Sequence, residues 1–351
     1  MKKTLVALAV LAAGSAQAGI EIYNENKVTV NLKGDIEVVY LKDVTDGAEF
    51  QQQIQDADFG FDTRYAINDD LQFGAYWEFD GANDSVTKGT SKTVEAGNTY
   101  VGVYSQAAGS LIVGRLDSVL DDAGIGSDYQ FGVNSFFSKG SPFGADESVR
   151  YDLDKGMFYG ALAYKQDKNG NASLGKDGYM FDGKVGVRVA DFDFTGFYGN
   201  ADFSGDDARL GGSETKLEGK ETLYAVEGRW AGVENLNLEL GYYNMKLDPT
   251  GDESLTRQTY AFAADYTINQ IIIAAGVSQS KYDEDLSDGT ANGTWDTQTN
   301  WFVNAGYLVA PGATVYAEVG GNDGYSNVGT SAAPDIKQNG TGFAVGVKAE
   351  F

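Results

Sequence analysis

The chain has no cysteine, no histidine and only 4 prolines among its 351 residues. Without histidine there is no Ser–His or Cys–His catalysis and no imidazole metal site. Without cysteine there is no disulfide, thiolate zinc site or iron–sulfur cluster. No apolar run reaches the length of about 18 residues that a membrane-spanning helix needs. Positive charge is also scarce, with 26 Lys and Arg against 51 Asp and Glu, a net charge of −25. Nucleic-acid binding, which neutralises phosphates with Lys and Arg, is excluded on that balance. No phosphate loop, dinucleotide fingerprint or heptad pattern occurs, so no cofactor and no metal is expected. What is abundant is glycine, at 46 residues, and aromatics, at 13%.

The first residues read as a secretory signal. Lys2 and Lys3 precede an apolar stretch over 4–13, and Ala16-Gln17-Ala18 fits a small-x-small cleavage site. The mature chain is expected to start at Gly19, with a net charge of −27 after two lysines are lost.

Alternation then dominates. From Val28 to Tyr40 the even positions are mostly apolar (Val28, Val30, Leu32, Ile36, Val38). The odd positions are mostly polar (Thr29, Asn31, Lys33, Asp35, Glu37). A period of two places these sets on opposite faces of a strand. Phe59, Phe61 and Tyr65 alternate in the same way with Asp58, Asp62 and Arg64. Leu71, Phe73, Ala75, Trp77 and Phe79 follow. Counted to the end, the pattern gives sixteen strands. Their connections sort into two kinds. Short turns occur at 68–70, 155–156, 190–191, 231–235, 267–270 and 308–312. Long Gly/Asp/Asn/Ser-rich loops occur at 81–96, 166–178, 202–219, 281–296 and 321–339. An aqueous sandwich gives no reason for such sorting, whereas an up-and-down meander across a membrane does.

Aromatics such as Tyr40, Tyr65, Trp77, Tyr198, Tyr242, Tyr266, Trp301 and Tyr307 fall near strand ends, as interfacial girdles would place them. In lipid every backbone N–H and C=O needs a partner, so the strands must close. The fold class expected is all-β, a transmembrane antiparallel up-and-down barrel of 16 strands enclosing an aqueous lumen. The chain stops on Phe351 after alternating Phe343, Val345, Val347 and Ala349.

These segments resemble the general diffusion porins of Gram-negative outer membranes. EIYNENKVTVNLKG (21–34) is similar to that family's opening strand. ADFGFDTRYAINDDLQFGAYWEFDG (57–81) resembles its second hairpin, and YVGVYSQAAGSLIVGR (100–115) the hairpin before its third loop. SVRYD (148–152) resembles the motif after that loop. The resemblance implies a homotrimer embedded in lipid and lipopolysaccharide. It implies passive diffusion of ions and small hydrophilic solutes. It also implies that residues 116–147 form an inward-folded constriction loop. On that loop lie Asp117, Asp121, Asp122, Asp128, Asp146 and Glu147.

The wall departs from the family's pattern. Where the first strand usually carries a Lys after its Gly, this chain has Asp35. Where the second carries a basic pair, it has Asp58 and Asp62. Parity adds Glu37, Asp56, Glu78, Asp80, Asp182, Asp193, Glu227, Glu239, Asp265 and Glu318 to the lumen face. The bases there are Lys33, Arg64, Arg150, Lys165, Lys184, Arg188 and Arg229; Arg115 is not placed by parity. Acidic linings favour cations. The pore-lining and constriction residues expected are therefore Asp35, Asp58, Asp62, Asp117, Asp121, Asp122, Asp128, Arg64 and Arg150, in a cation-selective channel.

Three other readings compete. An enzyme would have to work through acid pairs alone, and none is expected. A substrate-specific oligosaccharide porin would stack sugars on aromatics, with Trp295, Tyr129, Phe131, Phe136, Phe137 and Phe143 as candidates. A displayed adhesin would use the long loops. Gly/Asp-rich segments at 202–212 and 283–293 lack the ordered spacing of a calcium loop and read as exposed loops.

Overall fold

The computed structural model describes residues 19–81, 95–135, 143–170, 172–213, 215–283, 297–329, 333 and 335–351. The signal segment expected over 1–18 lies outside them, as do Phe136, Phe137 and Trp295.

Among the described residues nineteen strands form, and sixteen of them close into one antiparallel barrel. The barrel strands are β2 (Val28–Lys42), β3 (Gln51–Ala66), β4 (Leu71–Asp80), β5 (Glu95–Ser105), β6 (Gly109–Asp117), β7 (Gly144–Asp154), β8 (Phe158–Gln166) and β9 (Tyr179–Val189). They continue with β10 (Phe192–Phe203), β11 (Gly219–Val233), β12 (Leu236–Pro249), β13 (Leu255–Ile268), β14 (Ile271–Asp283), β15 (Thr297–Ala310), β16 (Ala313–Asn322) and β19 (Thr341–Glu350). Each pairs with the next, and β19 pairs back onto β2 from Phe343↔Lys42 to Glu350↔Asp35. Phe351 and Gly34 exchange two backbone hydrogen bonds (2.8 and 2.9 Å) at the lower end of this seam.

Two elements were not legible beforehand. An N-terminal strand β1 (Ile20–Glu25) folds back on β2, from Ile20↔Leu32 to Glu25↔Val28, and continues the edge that β19 leaves. Its turn residues Asn26 and Lys27 both have positive φ (54° and 67°). That is the mirror-image turn whose twist suits a two-residue hairpin. A short pair, β17 (Tyr325–Asn327) with β18 (Ile336–Gln338), forms inside the last long loop.

The two faces separate as the alternation requires. Phe343, Val345 and Val347 are exposed, and Ala344 between them is buried. Exposed apolar residues run round the whole barrel, including Tyr40, Tyr65, Trp77, Tyr198, Tyr266 and Tyr307. A surface of that extent is a lipid-facing band rather than a scatter of apolar side chains in water. Among the described residues no helix is long and apolar enough to cross a membrane.

Candidate functional site

The segment after β6 has no strand partner, so its backbone N–H groups need acceptors elsewhere. They find them on the wall's polar face, opposite the apolar band. Ser118 caps a short 3-10 turn at Val119–Asp122 through its hydroxyl, 3.0 Å from the Leu120 amide. Leu120, Ala123 and Ile125 then sink into an apolar cluster with Phe197, Leu223 and Met245. From there carboxylates hold the chain. Val119 N–H donates to Asp182 (2.6 Å), Gly124 N–H to Glu227 (2.6 Å) and Gly126 N–H to Glu239 (2.8 Å). The Ser127 hydroxyl donates to Asp265 at 3.4 Å. Glu318 takes three successive amides, of Tyr129, Gln130 and Phe131, at 2.6, 3.0 and 2.6 Å. Asn134 N–H ends the series on the Ser278 hydroxyl (2.8 Å). Charge-assisted bonds of this kind are about twice as strong as neutral ones.

These acids carry a role that parity did not reveal. Asp182, Glu227, Glu239, Asp265 and Glu318 do stand on the polar face, as expected. They are buried beneath the segment 118–135, however, and serve as its anchors. The third-loop aromatics behave alike. Tyr129 stacks flat on Tyr316 at 3.9 Å, Phe131 packs against the cluster of Val39, Tyr316 and Ala344, and Phe143 packs on the larger cluster. They fix the loop to the wall and are not free platforms for a sugar.

The anchors lie on β9 and on β11 to β16. The faces of β3 to β5 carry none of the loop bonds named above. Arg64 is held there by Asp62, which also meets Lys33 at 3.1 Å, and lies over the Tyr104 ring at 3.5 Å. Tyr76 donates to Glu78 (3.0 Å), which accepts the Asn98 amide (2.7 Å), and the Asn98 side chain donates to Asp117 (2.7 Å). These half-buried inner tyrosines were missed, because a lone Tyr at a polar-face position carries no sequence signal.

Asp35 and Asp58 face each other in register, and Asp58 accepts the Asp35 amide at 3.0 Å. With Asp56 they place three carboxylate oxygens within 4.8 Å of one another. Lys348 approaches Asp35 at 3.6 Å. Among the described residues no base pairs with Asp56 or Asp58. The trio offers hard oxygen ligands on a half-exposed wall, without the enclosure of a built metal cage.

Asp122 sits where the loop meets β7 and β9, 2.7 Å from both Arg150 and Lys184. Arg150 also donates to the Ser118 carbonyl (3.1 Å) and to Asp152. Arg115 pairs with Asp146. The strand carrying it has a register break between Gly114 and Leu116, which is why simple parity could not place it. Asp121 and Asp128 lie on the open side of the loop. Enclosure by surrounding protein, then the neighbouring Asp117 and Asp122, push the Asp121 carboxyl up to about 6. Enclosure and Glu318 push Asp128 to about 6 as well.

Cavities of several hundred Å³ adjoin the loop on two sides. One of about 590 Å³ touches Asp58, Glu78, Arg115, Asp117 and Asp146. The other, of about 650 Å³, lies towards the short turns and touches Tyr104, Asp122, Asp152, Tyr159, Lys184 and Arg188.

A family model described as Gram-negative porin matches residues 4–327. The chain belongs to the Gram-negative porin family. Porin-like protein H of Photobacterium profundum is 29% identical over 92% of this porin and 95% of that protein. A major outer membrane protein of Pasteurella multocida is 25% identical over 55% of this porin and 58% of its own length. Among solved structures, OmpT of Vibrio cholerae in its trimer form superposes with a TM-score of 0.71 at 18% identity, over 93% of this porin and 100% of that chain. An anion-selective porin from Comamonas acidovorans does so with a TM-score of 0.71 at 12% identity, over 92% and 100%. At these identities the structural matches speak for the barrel alone. Family and fold together make this porin an outer-membrane channel for diffusion.

Proposed function

We propose that the polar face lines a water-filled lumen, that residues 116–147 narrow it, and that the channel passes small hydrophilic solutes with a preference for cations. Pairing of the wall bases carries this reading. Lys33 and Arg64 meet Asp62; Arg150 meets Asp122 and Asp152; Lys165 meets Asp182. Lys184 meets Asp122, Arg188 meets Asp154 and Asp193, and Arg229 meets Glu227 and Glu239. Every base expected on the lumen face is thus matched within 4 Å. Asp56, Asp58, Asp121 and Asp128 have no such base among the described residues, so the uncompensated charge is negative. The Debye length is about 8 Å at physiological salt, so charges lining a narrow passage still act on ions inside it.

The test is the reversal potential in a KCl gradient across a planar bilayer. The cation sign is expected, and the anion sign overturns the proposal. A pH series adds a second expectation. Asp121 and Asp128 lose their charge as pH falls through about 6. Cation preference should therefore be fully present well above that pH and decline below it. A preference flat from pH 7.5 to pH 5 would remove both residues from the selectivity region.

Assembly as a homotrimer, with lipid and lipopolysaccharide around the apolar band, is part of the same proposal. The trimer form of the Vibrio cholerae structure supports it.

A further inference from the structure

We infer that Asp122 is a tethered counter-ion, filling a wall site of Arg150 and Lys184 that would otherwise take a small oxyanion such as a carboxylate or phosphate. One oxygen of Asp122 receives both bases, each at 2.7 Å. Charged donors converging on one carboxylate oxygen are how an anion is held. Here the anion is the protein's own. It comes from the turn Val119–Asp122, whereas the bases stand on β7 and β9.

The turn is fixed, so the carboxylate is held in place. Val119 and Leu120 are buried, and Val119 N–H donates to Asp182 at 2.6 Å. Arg150 donates to the Ser118 carbonyl at 3.1 Å, and Arg229 to the Gly124 carbonyl at 2.6 Å. Asp122 itself is exposed, and with Lys184 it borders the cavity of about 650 Å³. A solute ion can therefore reach the pair.

The two bases depend on Asp122 unequally. Arg150 also meets Asp152 at 2.9 Å. Among the described residues Lys184 has no carboxylate within 4 Å except Asp122. Neutralising Asp122 thus removes one negative charge and also leaves Lys184 unmatched beside the passage. The neighbouring Asp121 meets no base within 4 Å among the described residues, so its loss does only the first. Asp122 is on this ground a specificity-determining residue, which keeps this stretch of wall from favouring anions.

The inference rests on the reading of the polar face as the ion path, and bilayer recordings separate the two. Citrate is the oxyanion probe. It should interrupt the current of Asp122→Asn reversibly and saturably, at concentrations several-fold below any that affect the wild type or Asp121→Asn. The reversal potential should move towards anions further in Asp122→Asn than in Asp121→Asn. Asp122→Asn combined with Lys184→Gln loosens the turn equally but lacks the base. It should lose the citrate block and return close to the wild-type reversal potential. A conducting Asp122→Asn channel that citrate does not block overturns the inference. Equal shifts in the two single variants, or block that persists in the double variant, overturn it as well. A wild-type channel that does not conduct, or that prefers anions, overturns the underlying reading and the inference with it.

Discussion

Replacing Glu318 with leucine is expected to free the far end of the segment 118–135 while the barrel still forms. Glu318 alone receives the amides of Tyr129, Gln130 and Phe131, and the Asn304 side chain at 3.0 Å. Leucine fills much of the same space but accepts nothing. Three amides then lose their acceptor at a site where Glu318 is only 3% exposed. Each orphaned buried donor costs about 1–3 kcal/mol, so the hold on the segment should weaken by about 3–5 kcal/mol after partial rescue by water. The upstream anchors Asp182, Glu227 and Glu239 remain, so the release is local. Single-channel records should show frequent switching between conductance levels. Limited proteolysis should cut near 127–135 in the variant and leave the wild type intact there. Steady current and unchanged protease resistance would show that the stacked Tyr129–Tyr316 pair holds the loop without Glu318.

Exchanging Asp35 and Asp58 for lysine should abolish the cation preference or turn it to anions. The two carboxylates oppose each other in register, and the substitution replaces two negative charges with two positive ones beside Asp56. A lining charge about 8 Å from a passing ion, in a partly aqueous lumen, shifts that ion's energy on the order of 1 kcal/mol, roughly fivefold in local concentration. Two reversed charges act together and should dominate the reversal potential. The asparagine pair should give a smaller move in the same direction. If neither pair shifts the reversal potential, the acidic corner of β2 and β3 is not on the ion path.

The barrel was legible because closure is written in every strand. Alternation such as Phe343, Val345 and Val347 against Ala344 has one meaning once sixteen such runs occur with sorted turns. The strands run further than the alternation alone indicates at the long-loop end, as in β3 from Gln51 and β12 to Pro249. Pairing there persists after the apolar face ends. The hairpin at Asn26–Lys27 was hidden because β1 is only 6 residues long and exposed along its whole length. Parity gives each wall charge a face, and the register break between Gly114 and Leu116 is what withholds one from Arg115. What parity could not give was depth beneath the loop. Asp58 and Glu318 look alike in sequence, yet one faces an open cavity and the other is buried under three amides. Selectivity is likewise absent from the fold. The Comamonas acidovorans porin is described as anion-selective and shares this architecture, and a shared barrel does not by itself fix a function.

The seam also constrains how the molecule can be made. Every other pair of the barrel joins strands that follow one another in the chain, β16 and β19 across the loop that carries β17 and β18, and each can zip from its own connection. The pairing of β19 with β2 and the double bond between Phe351 and Gly34 join opposite ends of the chain. That contact carries the largest loop-closure cost and must form last. Until it does, the edges of β2 and β19 stand open, and an open edge in lipid is both unsatisfied and adhesive. Loss of β19 alone would thus leave a sheet instead of a tube.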